Sequence, residues 1–248
     1  MGISISAISN NTTYRDGKYN FLTYYGNEDD ENFISFINLC IIYSETDGLK
    51  FEDFFYSLID IFQLPSVSKE LNLIGFFGEL SFIIELWEKY RVNLSDIWHV
   101  DGSKSRYDFS SPKFNIEIKT TTKESSTFLL KHSQIFDFNN NFITVIHISS
   151  SSGYSLYDLI EYCKSTSPFK DNLNFQIRLQ EEKLRVDLNK MKNMRFSIDR
   201  ISIFNKNQLE TIDEIPGCIT EISYYYTFDL RNSLRIVDVL DDLRSLNK

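Results

Sequence analysis

Arg106–Thr122 reads RYDFSSPKFNIEIKTTT, and from Phe114 onward apolar and polar residues alternate one by one. Phe114, Ile116 and Ile118 therefore fall on one side of a strand, with Asn115, Glu117 and Lys119 on the other, because successive β side chains point to opposite faces. One side belongs to a core, and the other is left for solvent or chemistry. The Ser110-Ser111-Pro112 turn separates this strand from a shorter candidate at Arg106–Phe109, so Asp108 can lie beside Glu117 on a neighbouring strand. An E-x-K triplet alone says little, since Glu181 and Lys183 form a second one. The companion Asp108 singles out the first.

Upstream, Asn72–Arg91 (NLIGFFGELSFIIELWEKYR) carries the strongest helical pattern of the chain. At about 100 degrees per residue, Phe76, Phe82, Ile83 and Leu86 fall within roughly 60 degrees of Glu79, whereas Ser81, Glu85 and Glu88 gather on the opposite side. Glu79 is thus expected to point inward. A buried carboxylate is costly unless it is paired, protonated or bound to a metal, which makes Glu79 a site candidate. Three acids and one lysine then have the means to converge.

Around this centre the chain reads as one compact α/β domain with peripheral elements. Residues 1–30 are a loose or edge-strand lead-in ending in the acidic run Glu28–Glu31, and Asn32–Tyr43 and Phe51–Phe62 have helical spacing. Short strands are expected at Ile97–Val100, Arg106–Phe109 and Lys113–Thr122, followed by a buried strand at Phe142–Ile148 and a helix at Ser155–Cys163 capped by Ser155. Arg195–Phe204 and Cys218–Leu230 read as strands, and Ser233–Leu246 as a closing helix. The divisions are an N-terminal acidic region over 1–70, a core over 71–165, and C-terminal strands and helix packed on it over 166–248.

The 248 residues carry 26 Lys and Arg against 35 Asp and Glu, and 42% are hydrophobic, enough to bury a core. The acidity is uneven: residues 1–60 hold 3 basic and 10 acidic side chains, whereas 61–200 hold 18 and 17. Three cysteines in no C-x-x-C pair fit a reducing, cytoplasmic setting. No apolar run approaches the roughly 18 residues of a membrane span, so neither membrane insertion nor secretion is expected. His99 and His147 have no companion at local metal-ligand spacing, and no zinc site is expected. Asp101, a rival to Asp108, sits in an Asp-Gly turn.

Glu79 in GFFGEL, Asp108 in RYDF, and Glu117 and Lys119 in NIEIKTT appear in the order seen in the PD-(D/E)XK nuclease superfamily, which this sequence resembles. More narrowly, GFFGELSFIIEL, YDF, IEIKTTT, His132-Ser133-Gln134-Ile135 and PGCITEISYYYTFDL resemble the PD-(D/E)XK motif proteins found among bacterial defence genes, over roughly residues 70–230. Tyr107 replaces the proline of the motif. The resemblance implies a restriction-endonuclease-like core, a mixed central sheet flanked by helices, with extra N- and C-terminal elements. It implies Mg²⁺ or Mn²⁺ held by Glu79, Asp108, Glu117 and the Ile118 carbonyl, since hard cations take oxygen donors. Lys119 would orient the attacking water, and Gln134 or His132 would position Lys119 or a phosphate.

The implied activity is metal-dependent DNA endonuclease cleavage in a bacterial restriction or anti-phage system. The alternative is a weakly active or inactive nuclease-fold subunit that binds DNA or scaffolds a defence complex. DNA contact requires positive charge. Lys104, Arg106, Lys123 and Lys131 lie in a segment of net +3, and Lys190, Lys192 and Arg195 in one of net +4. A homodimer or partner subunits is the expectation for cutting both strands.

Overall fold

The computed structural model describes residues 4–14, 17–25, 31–48, 50–62, 73–99, 106–135, 140–184, 186, 188–209 and 222–245. In chain order the first elements are β1 (Ser4–Tyr14), β2 (Gly17–Tyr25), α1 (Glu31–Glu45), α2 (Phe51–Phe62) and α3 (Leu73–Tyr90). Then come β3 (Phe109–Ser110), β4 (Phe114–Thr121), β5 (Thr127–Lys131), α4 (His132–Ile135), β6 (Asn140–Ser155) and α5 (Leu156–Ser165). The chain ends with α6 (Leu173–Leu184), α7 (Leu188–Asn193), β7 (Arg195–Asn205), β8 (Ser223–Thr227) and α8 (Ile236–Arg244).

Contacts divide the chain into two units, residues 1–71 with 163–186 and residues 72–162 with 187–248. In the first, β1 and β2 form an antiparallel hairpin, so of the loose or edge-strand lead-in expected over residues 1–30 the structure takes the strand form. Its core joins Phe36 and Leu39 of α1, Phe54, Leu58 and Phe62 of α2, and Leu173 and Ile177 of α6. Tyr43 stacks on Phe54 with ring centroids 4.3 Å apart. Helix α6 had no counterpart in the sequence reading, which kept residues 166–248 together, yet residues 163–186 group with the N-terminal segment. Gln176, Gln180, Glu182 and Lys183 are buried on α6, and this polarity obscures the helix's apolar face.

The second unit is built on a four-stranded mixed sheet flanked by helices, in the order β3-β4-β6-β7, an arrangement compatible with a restriction-endonuclease-like core. β3 is antiparallel to β4, β4 parallel to β6, and β6 antiparallel to β7. A separate antiparallel pair, β5 and β8, joins segments about a hundred residues apart. In register Glu117 lies beside Ile143 and Lys119 beside Val145, so these four share a face. That face is covered: Ile143, Val145 and Phe204 pack with Leu130, Ile135, Leu209 and Phe228. Both faces of β4 are therefore buried over Phe114–Ile118.

The expected strands shift in extent. Ile97–Val100 is a 3-10 turn over Ser95–Ile97 followed by a single antiparallel bridge from Trp98 to Phe109, and Arg106–Phe109 contributes only Phe109 to a strand. Val100 and residues 218–221 of the expected Cys218–Leu230 strand lie outside the described residues. Ser155 does cap α5: its hydroxyl accepts from the Asp158 N–H at 3.1 Å, and its own N–H donates to the Asp158 carboxylate at 2.8 Å. This reciprocal box satisfies two backbone donors at the helix start.

Helix α3 seats against the other face of β4 at Gly78. A Cβ at that position would lie 1.9 Å from Thr120 Oγ1 and 2.9 Å from Thr120 Cβ. Rotating the threonine removes the first clash but not the second, so any larger residue pushes the helix off the sheet. Ser81, expected on a solvent side, is also buried, because the unit encloses α3 on more than one face. Gly78→Ala is expected to destabilise the protein by roughly 1–3 kcal/mol through overpacking, measured by denaturant unfolding; an unchanged midpoint would contradict this close seating.

Candidate active site

The site forms where α3, β3 and β4 meet, and its first fixed point is Asp108. Its Oδ2 accepts a 2.6 Å hydrogen bond from the Ile118 N–H, and its backbone carbonyl accepts from the His99 N–H at 2.8 Å. Phe109 pairs with Ile116, which sets Asp108 at the level of Glu117. In an antiparallel pair a residue's N–H and C=O point to the same edge. The Ile118 carbonyl is therefore directed toward the edge that carries Asp108.

Glu117 and Lys119 project from one face of β4, with Lys119 Nζ 2.6 Å from Glu117 Oε1. Gln134 donates to the Glu117 carboxylate, while its Oε1 accepts from the Lys131 N–H at 3.0 Å and its Nε2 donates to the Arg106 carbonyl at 3.3 Å. Gln134 thus ties Glu117 to the segment leading into Asp108, and no contact with Lys119 is among its hydrogen bonds. His132, the other candidate positioner, pairs instead through Nδ1 with the Tyr224 hydroxyl at 2.7 Å.

Glu79 completes the cluster from α3. Its Oε2 accepts from Trp98 Nε1 at 2.8 Å and lies 2.8 Å from His99 Nε2. The inward orientation read from the helical wheel is present, but the partners are an indole and an imidazole. One ligand atom each from Glu79, His99 and Asp108 lies within 4.8 Å of the others. Glu117 stands outside this trio, engaged by Lys119 and Gln134. The Glu79 and Glu117 side chains are 15% and 7% exposed, and those of His99 and Lys119 20% and 21%, so the cluster is enclosed yet reachable by a small ion.

The electrostatics are unbalanced toward negative charge. Burial pushes the Asp108 carboxyl well above the usual carboxylate range, the neighbouring Glu117 and Glu79 push it further, and the Ile118 N–H and Lys119 oppose this. Burial also raises Glu117, against the lowering pull of Lys119 and the Gln134 hydrogen bond. Clustered carboxylates of this kind become favourable as anions once a divalent cation supplies the missing charge. The donor set of carboxylate oxygens, a backbone carbonyl and one imidazole fits such an ion.

The sequence reading missed the structural support of the loop. The Tyr107 hydroxyl donates to the Ser133 carbonyl at 2.9 Å and accepts from Asn141 Nδ2 at 3.1 Å, and Asn115 Nδ2 donates to Asn141 Oδ1 at 2.9 Å. This buried chain spans β4, β6 and the residue before Asp108, so the Tyr107 side chain acts as a brace. The sequence reading set His99 aside for want of a nearby companion and did not single out Trp98, yet both meet Glu79, about twenty residues away on another element.

Of the residues expected to meet DNA, Arg106, Lys123 and Lys131 are exposed around β4 and β5. Lys190 and Lys192 are exposed on α7, with Lys192 Nζ 4.8 Å from the centre of the Tyr157 ring. Arg195 is exposed but already bonded to Asp158 and to the Gly153 carbonyl, both at 3.0 Å. Lys104 and the rival acid Asp101 lie outside the described residues. His147 is half-buried, its Nε2 3.2 Å from Ser126 Oγ.

No curated protein and no solved structure matches the chain. A family model described as "Putative PD-(D/E)XK family member, (DUF4420)" matches residues 63–229, a span that takes in Glu79, Asp108, Glu117, Lys119 and Gln134. Nuclease-type chemistry and a general dependence on divalent metals characterise the PD-(D/E)XK group. By that match over two thirds of its length, the chain belongs to this PD-(D/E)XK family.

Proposed function

We propose that the protein is a Mg²⁺-dependent DNA endonuclease, with Mn²⁺ as a substitute, that hydrolyses phosphodiester bonds in bacterial restriction or anti-phage defence. The observation that carries this reading is the pair of carboxylates from Glu79 and Asp108, with ligand atoms within 4.8 Å of each other, next to the Glu117–Lys119 pair of β4 at 2.6 Å. The defence setting rests on the resemblance to motif proteins encoded among defence genes. Glu79, Asp108, Glu117 and the Ile118 carbonyl would hold the ion. When bound, it offsets phosphate charge and makes water a better nucleophile.

Each residue has a task consistent with its surroundings. The Ile118 N–H holds Asp108 with one oxygen committed to the backbone, leaving the other for a ligand role. Gln134 fixes Glu117, so that carboxylate stays in place when Lys119 swings from it toward substrate. Lys119 then orients the attacking water and stabilises charge developing on the phosphoryl oxygens. Arg106, Lys123 and Lys131, with Lys104, would follow the DNA backbone, and Lys190, Lys192 and Arg195 would extend that track. Cutting both strands calls for two such centres, supplied by a homodimer or by partner subunits of a defence complex.

Cleavage of plasmid DNA in Mg²⁺ is expected to fall at least ~100-fold in Lys119→Ala and in Asp108→Ala, the scale of losing a key electrostatic group, with unchanged far-UV circular dichroism. Retained cleavage by both variants would sink the assignment, and DNA binding without cleavage by the wild type would favour the scaffolding role.

Metal alone gives a second check. At about a hundredfold excess over its Kd, an ion binding only the folded state adds about 2.7 kcal/mol, or roughly 5–10 °C in melting temperature for a chain of this size. Asp108→Asn should abolish that shift. It should also melt at or above the wild-type temperature without metal, because Asn still accepts the Ile118 hydrogen bond and relieves the repulsion from Glu117 and Glu79. A metal-free Asp108→Asn protein markedly less stable than wild type would contradict the electrostatic account.

A further inference from the structure

We propose that His99 is a protein ligand of the metal, giving a mixed nitrogen and oxygen site with Glu79 and Asp108 that prefers Mn²⁺ to Mg²⁺. The proposal rests on the metal-dependent reading above and changes which ion that site takes. The motif residues supply only oxygen donors, and oxygen alone is what Mg²⁺ accepts most readily. The structure adds a nitrogen at the same point, because the ligand atoms of Glu79, His99 and Asp108 lie within 4.8 Å of one another.

The local backbone is built around this placement. After the Ser95–Ile97 turn, Trp98 bridges Phe109 and is fully buried against Phe76, with parallel rings 6.0 Å apart. Trp98 is thereby fixed, and its Nε1 donates to the same Glu79 oxygen that faces His99. His99 then adopts a left-handed conformation, φ 45°, which is uncommon for a residue with a side chain. Its N–H is clamped to the Asp108 carbonyl, and its ring Nε2 points at Glu79. One residue thus touches both carboxylate-bearing residues of the trio, with its backbone on one and its ring on the other.

An ion with bonds of about 2.1 Å spaces its donors from about 3 Å when adjacent to about 4.2 Å when opposite, so the trio needs only small side-chain adjustments to share one. Ligation requires the Nε2 lone pair, with the ring proton on Nδ1: a neutral ring protonated on Nε2 moves that proton to Nδ1 through water, whereas a doubly protonated ring releases its Nε2 proton to solvent. Imidazole raises affinity for Mn²⁺ and the later divalent metals more than for Mg²⁺. If His99 served only to hold Glu79 by a hydrogen bond, it would add no nitrogen to the ion's coordination and no preference between the two metals.

The test uses the full-length protein with Mn²⁺ or Mg²⁺ alone, without DNA. Calorimetric titration should give a Kd for Mn²⁺ about tenfold or more below that for Mg²⁺. Pulsed electron paramagnetic resonance of the Mn²⁺ complex should show a nitrogen coupling that changes when the histidines are labelled with ¹⁵N. His99→Asn, chosen because Asn tolerates the left-handed backbone, should lose the coupling and most of the Mn²⁺ preference. The wild-type spectrum decides the matter even if that variant folds poorly. A wild-type Mn²⁺ complex without histidine nitrogen coupling would overturn the role of His99 and leave the metal-dependent reading standing. A wild-type protein that binds neither ion would overturn both.

Discussion

The fold's second unit accepts an unfavourable charge arrangement at the end of β4. Burial and the nearby Glu117 and Glu79 carboxylates drive Asp108 toward its protonated form, and one ammonium group, Lys119, offsets only part of that. A structure selected for stability alone would place apolar residues there, as it does a few ångströms away with Ile143, Val145 and Phe204. Retaining three acids in that position makes physical sense when a cation is the missing component. The rest of the unit can be understood as scaffolding that keeps these acids from separating: Gly78 lets α3 come close, the Ile118 N–H grips Asp108, and Gln134 anchors Glu117.

Much of this centre was legible in the sequence because it depends on local periodicity. Alternation through Phe114–Lys119 places Glu117 and Lys119 on one face, and the helical wheel turns Glu79 inward. What remained hidden depends on contacts between distant segments. His99 has no ligand-like neighbour at local spacing, yet folding brings it 2.8 Å from Glu79. The polar face of β4 looked half exposed because nothing in Phe114–Thr121 announces that β5 and β8 will pair and cover it. Gln134 was noticed through family likeness, but its ties to the Lys131 N–H, the Arg106 carbonyl and Glu117 are relations that spacing alone does not contain.

The first unit illustrates the same limit from another side. Its helices α1 and α2 follow from their apolar spacing, but its core is completed by Leu173 and Ile177 from a segment more than a hundred residues later. Chain order suggested an N-terminal region over 1–70, a core over 71–165 and C-terminal elements over 166–248; contacts group residues 163–186 with residues 1–71. Lys183, which begins the 183–200 stretch of net charge +4, is buried there, so that stretch is no single continuous surface. Local charge sums are therefore a poor guide to where a phosphate-facing track runs; the exposed Arg106, Lys123 and Lys131, like Lys190, Lys192 and Arg195, share the unit that holds the acids.

The central claim is that the acids at the end of β4 exist to hold a divalent ion. Anomalous diffraction from crystals soaked in Mn²⁺ tests it most directly. The account predicts a strong anomalous peak in contact with Asp108 and Glu79, at the edge of β4 that carries the Ile118 carbonyl. Strong peaks confined to other surfaces, with Asp108 and Glu79 left without an ion at saturating Mn²⁺, would contradict it.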